Sequence, residues 1–328
     1  MYLEIVSKIL SESLLSLYPI FVKLINIPYG LQVWSRFFTY MFASSFFVDW
    51  SFIFKTIFSK SGLLLSFVTV LHIYSTYRGF QLLDSGVSYI IFYLYPLFIL
   101  LLAGKKIGFI MIFAIIGVYL LSRDNFNSSH ETKDASGRIL EKFGANPILE
   151  LFKYEGIIMM LISALTEAFI YFIVRSIKTD NNWNHLFISY ALGAVILTVY
   201  YAKKTFSKKD QIQEMESFQS GAGDNSGDNS GDNSGRENAM EEESKPNKNL
   251  SRNLLISILI NLIIGLFGYL LRFYAMTNLD ATIYAPLSYF GILTAYIYGA
   301  ILNKEKITIN KIVGTICILI PNIYLLIK

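Results

Sequence analysis

Glu12 falls near the middle of the first long apolar run, and Lys8, Ser16, Pro19 and Lys23 share roughly its face at helical spacing. A later apolar run repeats the arrangement, with Ser163, Glu167, Tyr171 and Arg175 spaced by four. An ionisable side chain in hydrocarbon costs about 2.5 to 3.5 kcal/mol, so each needs a partner, a wet cavity or a task. For Glu12 and Glu167 two chemistries fit: holding a ligand's cationic group or a proton, or forming buried ion pairs with Arg36 or Arg272. Arg36 and Arg272 in turn either draw in an anionic group or snorkel to the interface. His72, with Ser75, Thr76 and Gly79 on its face, either titrates near neutral pH as a proton gate or stays neutral and hydrogen-bonded to a neighbouring helix. Asn261, Gly265, Gly268 and Arg272 make a corresponding stripe, whose glycines favour close helix packing over ligand contact. Tyr93, Tyr95, Tyr284 and Tyr289 flank Pro96, Pro286 and Gly291, residues able to bend a helix. In a chain with 22 Tyr and 26 Phe, the competing reading is that these rings face lipid. The candidate substrate-binding set is Glu12, Lys23, Arg36, His72, Tyr93, Glu167, Arg272 and Tyr289.

The elements that must position these residues follow from composition. The chain has 328 residues, 54% of them hydrophobic and 16% charged, an apolar excess that points to lipid as the solvent. Apolar runs of about 20 residues, bounded by charges, place spans at about 3–22, 30–48, 61–81, 85–103, 107–121, 155–174, 184–202, 253–275, 281–302 and 307–327. The expected fold class is therefore an all-α membrane protein of about ten transmembrane helices. The first run has no small-residue cleavage site and reads as a span rather than a signal peptide. Residues 123–153 form a polar connector. Residues 203–251 contain tandem GDNS copies from Gly223 to Ser234 and read as a disordered low-complexity insertion.

Net charge is only +4 and the basic residues are scattered, so no nucleic-acid partner is expected. Cys317 is the single cysteine, which excludes an intrachain disulfide. The regular Asp224, Asp228 and Asp232 lack the bidentate Glu of a calcium loop. His72, His130 and His185 are dispersed, and no phosphate loop, metal motif or nucleophile triad stands in a plausible context. No enzyme activity, cofactor or metal is expected.

An internal duplication is also visible. LDSGVSYIIFYLYPLF from Leu83 aligns with LDATIYAPLSYFGIL from Leu279, so that Tyr93 matches Tyr289. GVYLLS from Gly117 is like NIYLLI from Asn322, and SESLLSLYPIFVKLIN from Ser11 is like SALTEAFIYFIVRSIK from Ser163. Spans one to five thus map onto six to ten. An odd number of helices per unit implies two inverted five-helix repeats, 1–122 and 154–202 with 252–328, facing one another across a site that opens to either side.

On these residues the chain resembles the drug/metabolite transporter superfamily, specifically its EamA-type fold. The resemblance rests on FVKLINIPYGLQVWSRFF from Phe21, YLYPLF from Tyr93, FYAMTNLDATIYAPLSYF from Phe273 and NKEKITINKIVGTICIL from Asn303. Glu305 and Gly314 fall where the family has a Glu between its last two helices and a Gly in the last one. Lys105 and Lys106 stand where the first half often has such a Glu, which is a departure. The resemblance implies a secondary transporter moving a small polar metabolite by alternating access, coupled to a proton or a counter-substrate. Lipid is the surrounding partner, and a homodimer is an open assembly state. A nucleotide-sugar antiporter of the same fold is one alternative, carried by Lys23, Arg36, Arg175 and Arg272 as cavity cations; a transport-inactive membrane scaffold is another. The resemblance also implies cytosolic termini and an endomembrane or plasma-membrane location, which leaves Asn127 and Asn249 as glycosylation acceptors. The distribution of Lys203, Lys204, Lys208 and Lys209 after the seventh span argues the opposite orientation.

Overall fold

The computed structural model describes residues 2–104, 112–113, 116–117, 119–120, 147–221, 248–302, 304 and 308–327. Among them the regular structure is entirely helical. In chain order the helices are α1 (Tyr2–Leu15), α2 (Tyr18–Leu24), α3 (Tyr29–Ser44), α4 (Trp50–Thr56), α5 (Lys60–Leu82), α6 (Ser85–Phe92) and α7 (Tyr95–Leu102). They continue with α8 (Pro147–Ser176), α9 (Asn182–Gly221), α10 (Lys248–Ile260), a π-helical turn over Asn261–Gly265, and α11 (Leu266–Asn278). α12 (Ala281–Leu287), α13 (Phe290–Leu302) and α14 (Ile309–Ile327) complete the order.

Exposure is inverted relative to a water-soluble protein. Phe42, Phe54, Phe67, Val195, Ile263, Phe267, Leu293 and Ile301 lie outside, while Lys8, Glu12, Arg36, Glu167 and Arg272 are buried. That distribution is stable only where hydrocarbon surrounds the bundle. The protein is a multi-pass membrane protein: among the described residues six stretches are long and apolar enough to cross a bilayer, Tyr2–Leu24, Ser85–Leu102, Tyr154–Ser176, Asn182–Lys204, Leu250–Asn278 and Ala281–Leu302. α4 and α5 are long and apolar enough only when taken together, and they are bent by 87° at their junction, the geometry of a broken span or a re-entrant pair. Of the ten expected spans, the second and tenth are helices, α3 and α14, outside that set. The fifth, 107–121, falls mostly outside the described residues, as do Lys105, Lys106, Glu305, Asn127 and the GDNS tract.

Two expected boundaries move. α8 begins at Pro147, inside the stretch assigned to the connector, and α9 runs on to Gly221, well into the assigned insertion. Helix propagation adds one hydrogen bond per residue fixed, so a helix already nucleated in the bundle extends through polar sequence that cannot nucleate one itself. Asn249 accordingly lies in the first turn of α10 rather than in a loop.

Prolines set three breaks. Pro19 and Pro96 have no N–H to offer the carbonyls four residues back, Leu15 and Phe92, and those are the last residues of α1 and α6. Pro286 likewise lies one residue before the end of α12. Tyr93 and Tyr289 sit in the breaks that follow α6 and α12.

The bundle is held by close helix pairs, α5 against α8, α3 against α9 and α1 against α11. α5 and α8 approach at two glycines: a methyl group on Gly79 would strike the Met160 side chain, and one on Gly156 would press on Leu83. Gly79, on the face of His72, thus serves helix packing.

Candidate functional site

α1 presents Lys8 and Glu12 one turn apart on a single buried face. The Glu12 carboxylate is surrounded by donors. Oε1 accepts from Lys8 Nζ and, at 3.0 Å, from the Tyr95 hydroxyl. Oε2 accepts from the Tyr93 hydroxyl at 2.5 Å and from Arg272 at 2.9 Å. In an unbroken helix, side chains two residues apart point to nearly opposite sides. The break between α6 and α7 is what turns Tyr93 and Tyr95 onto one carboxylate. Lys8 donates to the Tyr95 hydroxyl at 2.9 Å and stands over the Tyr284 ring, 3.6 Å from its centroid, in a cation–π contact.

Arg272, on α11, links this corner to a second carboxylate. One terminal nitrogen reaches Glu12 Oε2 and the other reaches Glu167 Oε1 on α8, both at 2.9 Å. A planar guanidinium with donors in a fork is suited to bridge two acidic groups, which the compact ammonium of Lys is not. Among the described residues Glu167 Oε2 receives no hydrogen bond, and His72 Nε2 on α5 stands 3.4 Å from it. His72 Nδ1 lies 3.1 Å from the Ser163 carbonyl oxygen and 3.2 Å from the Thr166 hydroxyl. The side chains of Lys8, Glu12, His72, Glu167 and Arg272 are at most 2% exposed. The formal charges of Lys8, Arg272, Glu12 and Glu167 sum to zero, which is how a dry interior tolerates four of them.

Arg36 is buried differently. It is 2% exposed on α3 and, among the described residues, meets no carboxylate. Its guanidinium is ringed by Tyr18 at 4.6 Å, Tyr269 at 4.7 Å, Tyr77 at 5.4 Å, Tyr40 at 5.5 Å and Tyr190 at 6.0 Å, measured to the ring centroids. It donates to the Tyr190 hydroxyl at 3.2 Å, and its Nε has no acceptor. Beside the cage a polar chain runs from the Tyr40 hydroxyl through Tyr18 to Asn261 in the π-helical turn, and on to Ser35 and Ser257.

The candidate set thus divides. Glu12, Glu167, Arg272, His72 and Tyr93 meet in one cluster, and the ion-pair alternative for the two carboxylates is realised through Arg272 and not Arg36. Tyr289 joins only at the margin, its ring 6.5 Å from that of Tyr93 and its hydroxyl without a hydrogen bond. Lys23 is exposed at the end of α2, apart from the cluster. Arg175 donates to the Leu279 carbonyl at 2.5 Å and lies 3.4 Å from Asp280. It lines a polar depression of about 560 Å³ with Lys178, Asp180, Asn182, Tyr274 and Asn278, none of which belongs to the cluster.

Comparison with known proteins finds a family likeness in the C-terminal region. Residues 240–326 match the EamA-like transporter family. The match is confined to the C-terminal region, which is similar to an EamA-like transporter domain. That EamA-like region holds α10 to α14, and with them Arg272, Tyr284 and Tyr289. No curated protein matches the chain. A solved structure described as "Crystal structure of protein" is similar over 97% of this chain and 94% of its own, with a TM-score of 0.50 and 11% identity, a likeness of fold alone.

Sequence reasoning singled out the stripe that contains Lys8 without counting Lys8 as a site residue, and it treated Tyr95 and Tyr284 as flanking rings. The four-residue step from Lys8 to Glu12 was the available signal. The tyrosine cage was missed altogether. Its rings come from five helices, α2, α3, α5, α9 and α11, and no spacing within one segment could reveal it.

Proposed function

We propose that the protein is a secondary transporter that moves a small polar metabolite by alternating access between two inverted five-helix halves. The observation that carries this reading is the dry bridge of Arg272 between Glu12 and Glu167, which ties α11 of the EamA-like region to α1 and α8 deep inside the bundle. A purely structural pair of carboxylates would be replaceable by apolar side chains at little cost, whereas charges kept in a bilayer interior are characteristic of a pathway. In the closed arrangement every charge of the cluster is paired within the protein. A ligand that offers a substitute cation or anion can exchange with one of those partners, and re-pairing is what would couple binding to movement.

Arg36 is the natural receptor for an anionic group on the substrate, because its charge is met by ring faces and not by a carboxylate. A nucleotide-sugar antiporter would call for several central cations. Lys23 and Arg175 stand apart from the centre and Arg272 is occupied by both glutamates, so that alternative is less well supported. We place both termini in the cytosol and the protein in an endomembrane, an assignment that glycosylation mapping with engineered sequons would test.

Reconstitution into liposomes with a metabolite panel, under imposed ion gradients, tests the reading. Uptake above protein-free liposomes is expected, and the Glu12→Gln, Glu167→Gln double variant should lose it, read on the fraction of that variant that elutes as a monodisperse species. No uptake of any panel member would favour the scaffold alternative. Undiminished uptake by the double variant would remove these carboxylates from the pathway.

A further inference from the structure

The two carboxylates of the cluster occupy similar places in their stripes yet are held in unlike ways. Glu12 accepts from four donors, Lys8, Tyr95, Tyr93 and Arg272, which fix it as an anion. Among the described residues Glu167 accepts from Arg272 alone, through Oε1, and turns a bare Oε2 toward His72.

The hydrogen bonds of His72 decide what stands between them. The Ser163 carbonyl oxygen can only accept, so the Nδ1 that lies 3.1 Å from it carries a hydrogen. Thr166, the other neighbour of Nδ1, places its hydroxyl 2.8 Å from the Ile162 carbonyl, an acceptor for its own proton. In a neutral ring with Nδ1 protonated, Nε2 is a lone pair. It would then face the lone pairs of Glu167 Oε2 across 3.4 Å with no water-exposed surface to relieve them. Two acceptors opposed in a dry interior are unfavourable, whereas one proton between them gives either an imidazolium beside a carboxylate or a neutral ring accepting from a carboxylic acid.

We propose that one proton resides between Glu167 Oε2 and His72 Nε2, and that its release to water is coupled to separation of α5 from α8. The proposal deepens the transporter reading and names the coupled ion of that same site. The charged groups around the pair are Arg272 on α11, Lys8 and Glu12 on α1, and Arg36 on α3. α6, α7 and α9 add the buried titratable side chains Tyr89, Tyr95, Tyr190 and His185. Arg78, also on α5, is already engaged by Glu155 of α8. The proton therefore sits where the most extensive helix contact of the bundle is made. Once it has left, opposed lone pairs push on that contact, and Glu167 Oε2 can be satisfied only by water entering or by a further donor turning to it.

The purified full-length protein in nanodiscs, with no transport substrate present, tests this by nitrogen NMR of its labelled histidines and by infrared titration of its carboxyl groups. His72 should read as the Nδ1–H tautomer or as imidazolium, and one base-driven proton release should vanish in both Glu167→Gln and His72→Gln. A neutral Nε2–H tautomer of His72, or a release step that survives both substitutions, would overturn the proposal. Spin labels at Leu71→Cys on α5 and Ile158→Cys on α8, in a Cys317→Ser background, should move apart across that step, and an unchanged distance would refute the coupling. These readings need no transport. A failed metabolite panel with an intact proton step would count against the carrier, while working uptake without the step would count against the proton site.

Discussion

Arg272 and Arg36 are buried to almost the same degree, 1% and 2% exposed, and the bundle stabilises them by opposite means. Arg272 is neutralised by two carboxylates from two helices, while Arg36 rests among five tyrosine rings. The first arrangement couples three elements through bonds that have few substitutes in a dry interior. The second spreads a weaker attraction over many faces, each worth about 0.5 to 2 kcal/mol, and leaves the cation able to accept an anion. One arginine is built to hold and the other to receive.

The largest effect that could break this contrast is at Arg272. Arg272→Met leaves Glu12 and Glu167 without their shared cation, and loss of one partner of a buried pair costs about 3 to 5 kcal/mol. A large fall in the thermal midpoint of the purified protein is expected together with lost uptake; a midpoint near that of the unaltered protein would mean the bridge is not structural. Next is the difference between the two carboxylates. Glu12→Gln should lower the midpoint more than Glu167→Gln, since it strips a group with four donors and not one. Equal losses would erase the distinction between an anchored and a protonatable glutamate.

Arg36→Leu should change the midpoint less than either, and should instead raise KM for an anionic substrate with kcat little altered. A fall in stability as large as that of Arg272→Met would make the cage a structural element. The smallest effect is expected far from both arginines, at Asp49, which caps α4 by accepting from the backbone N–H groups of Ser51 and Phe52. The Ser51 side chain first, and then Phe52, hold its carboxyl below the ordinary value. A lowered folded-state value gives stability that is present above the unfolded value and lost as pH falls through the folded one. Asp49→Ala should therefore lower the midpoint slightly at neutral pH and not at strongly acid pH; the same small shift at both would show that the charge is irrelevant.

Much of this was legible in the residues. Apolar runs marked where helices lie because a bilayer sets their length, and the prolines marked the breaks because the missing N–H has a fixed consequence. Glu12 and Glu167 stood out because ionised groups are scarce in such runs. Which arginine they would choose was not readable: Arg36 and Arg272 have the same chemistry, and only the packing of α11 against α1 and α8 selects between them. Helix ends were less accurate for a related reason, since α9 continues past the end of the apolar run on the strength of bonds already formed. The cage around Arg36 was invisible because its rings belong to five separate segments.

The π-helical turn at Asn261–Gly265 lies about two to three turns ahead of Arg272 on the same continuous rod. Such a turn holds one residue more than regular winding accommodates. Were the surplus residue to be taken up elsewhere, everything beyond it would swivel by about 100°, one residue's share of a 3.6-residue turn. A swivel of that size carries a guanidinium from one side of the rod to another while the rod itself stays seated. Unseating the bridge between the glutamates would then call for no sliding of α11 at all, only a local change of pitch.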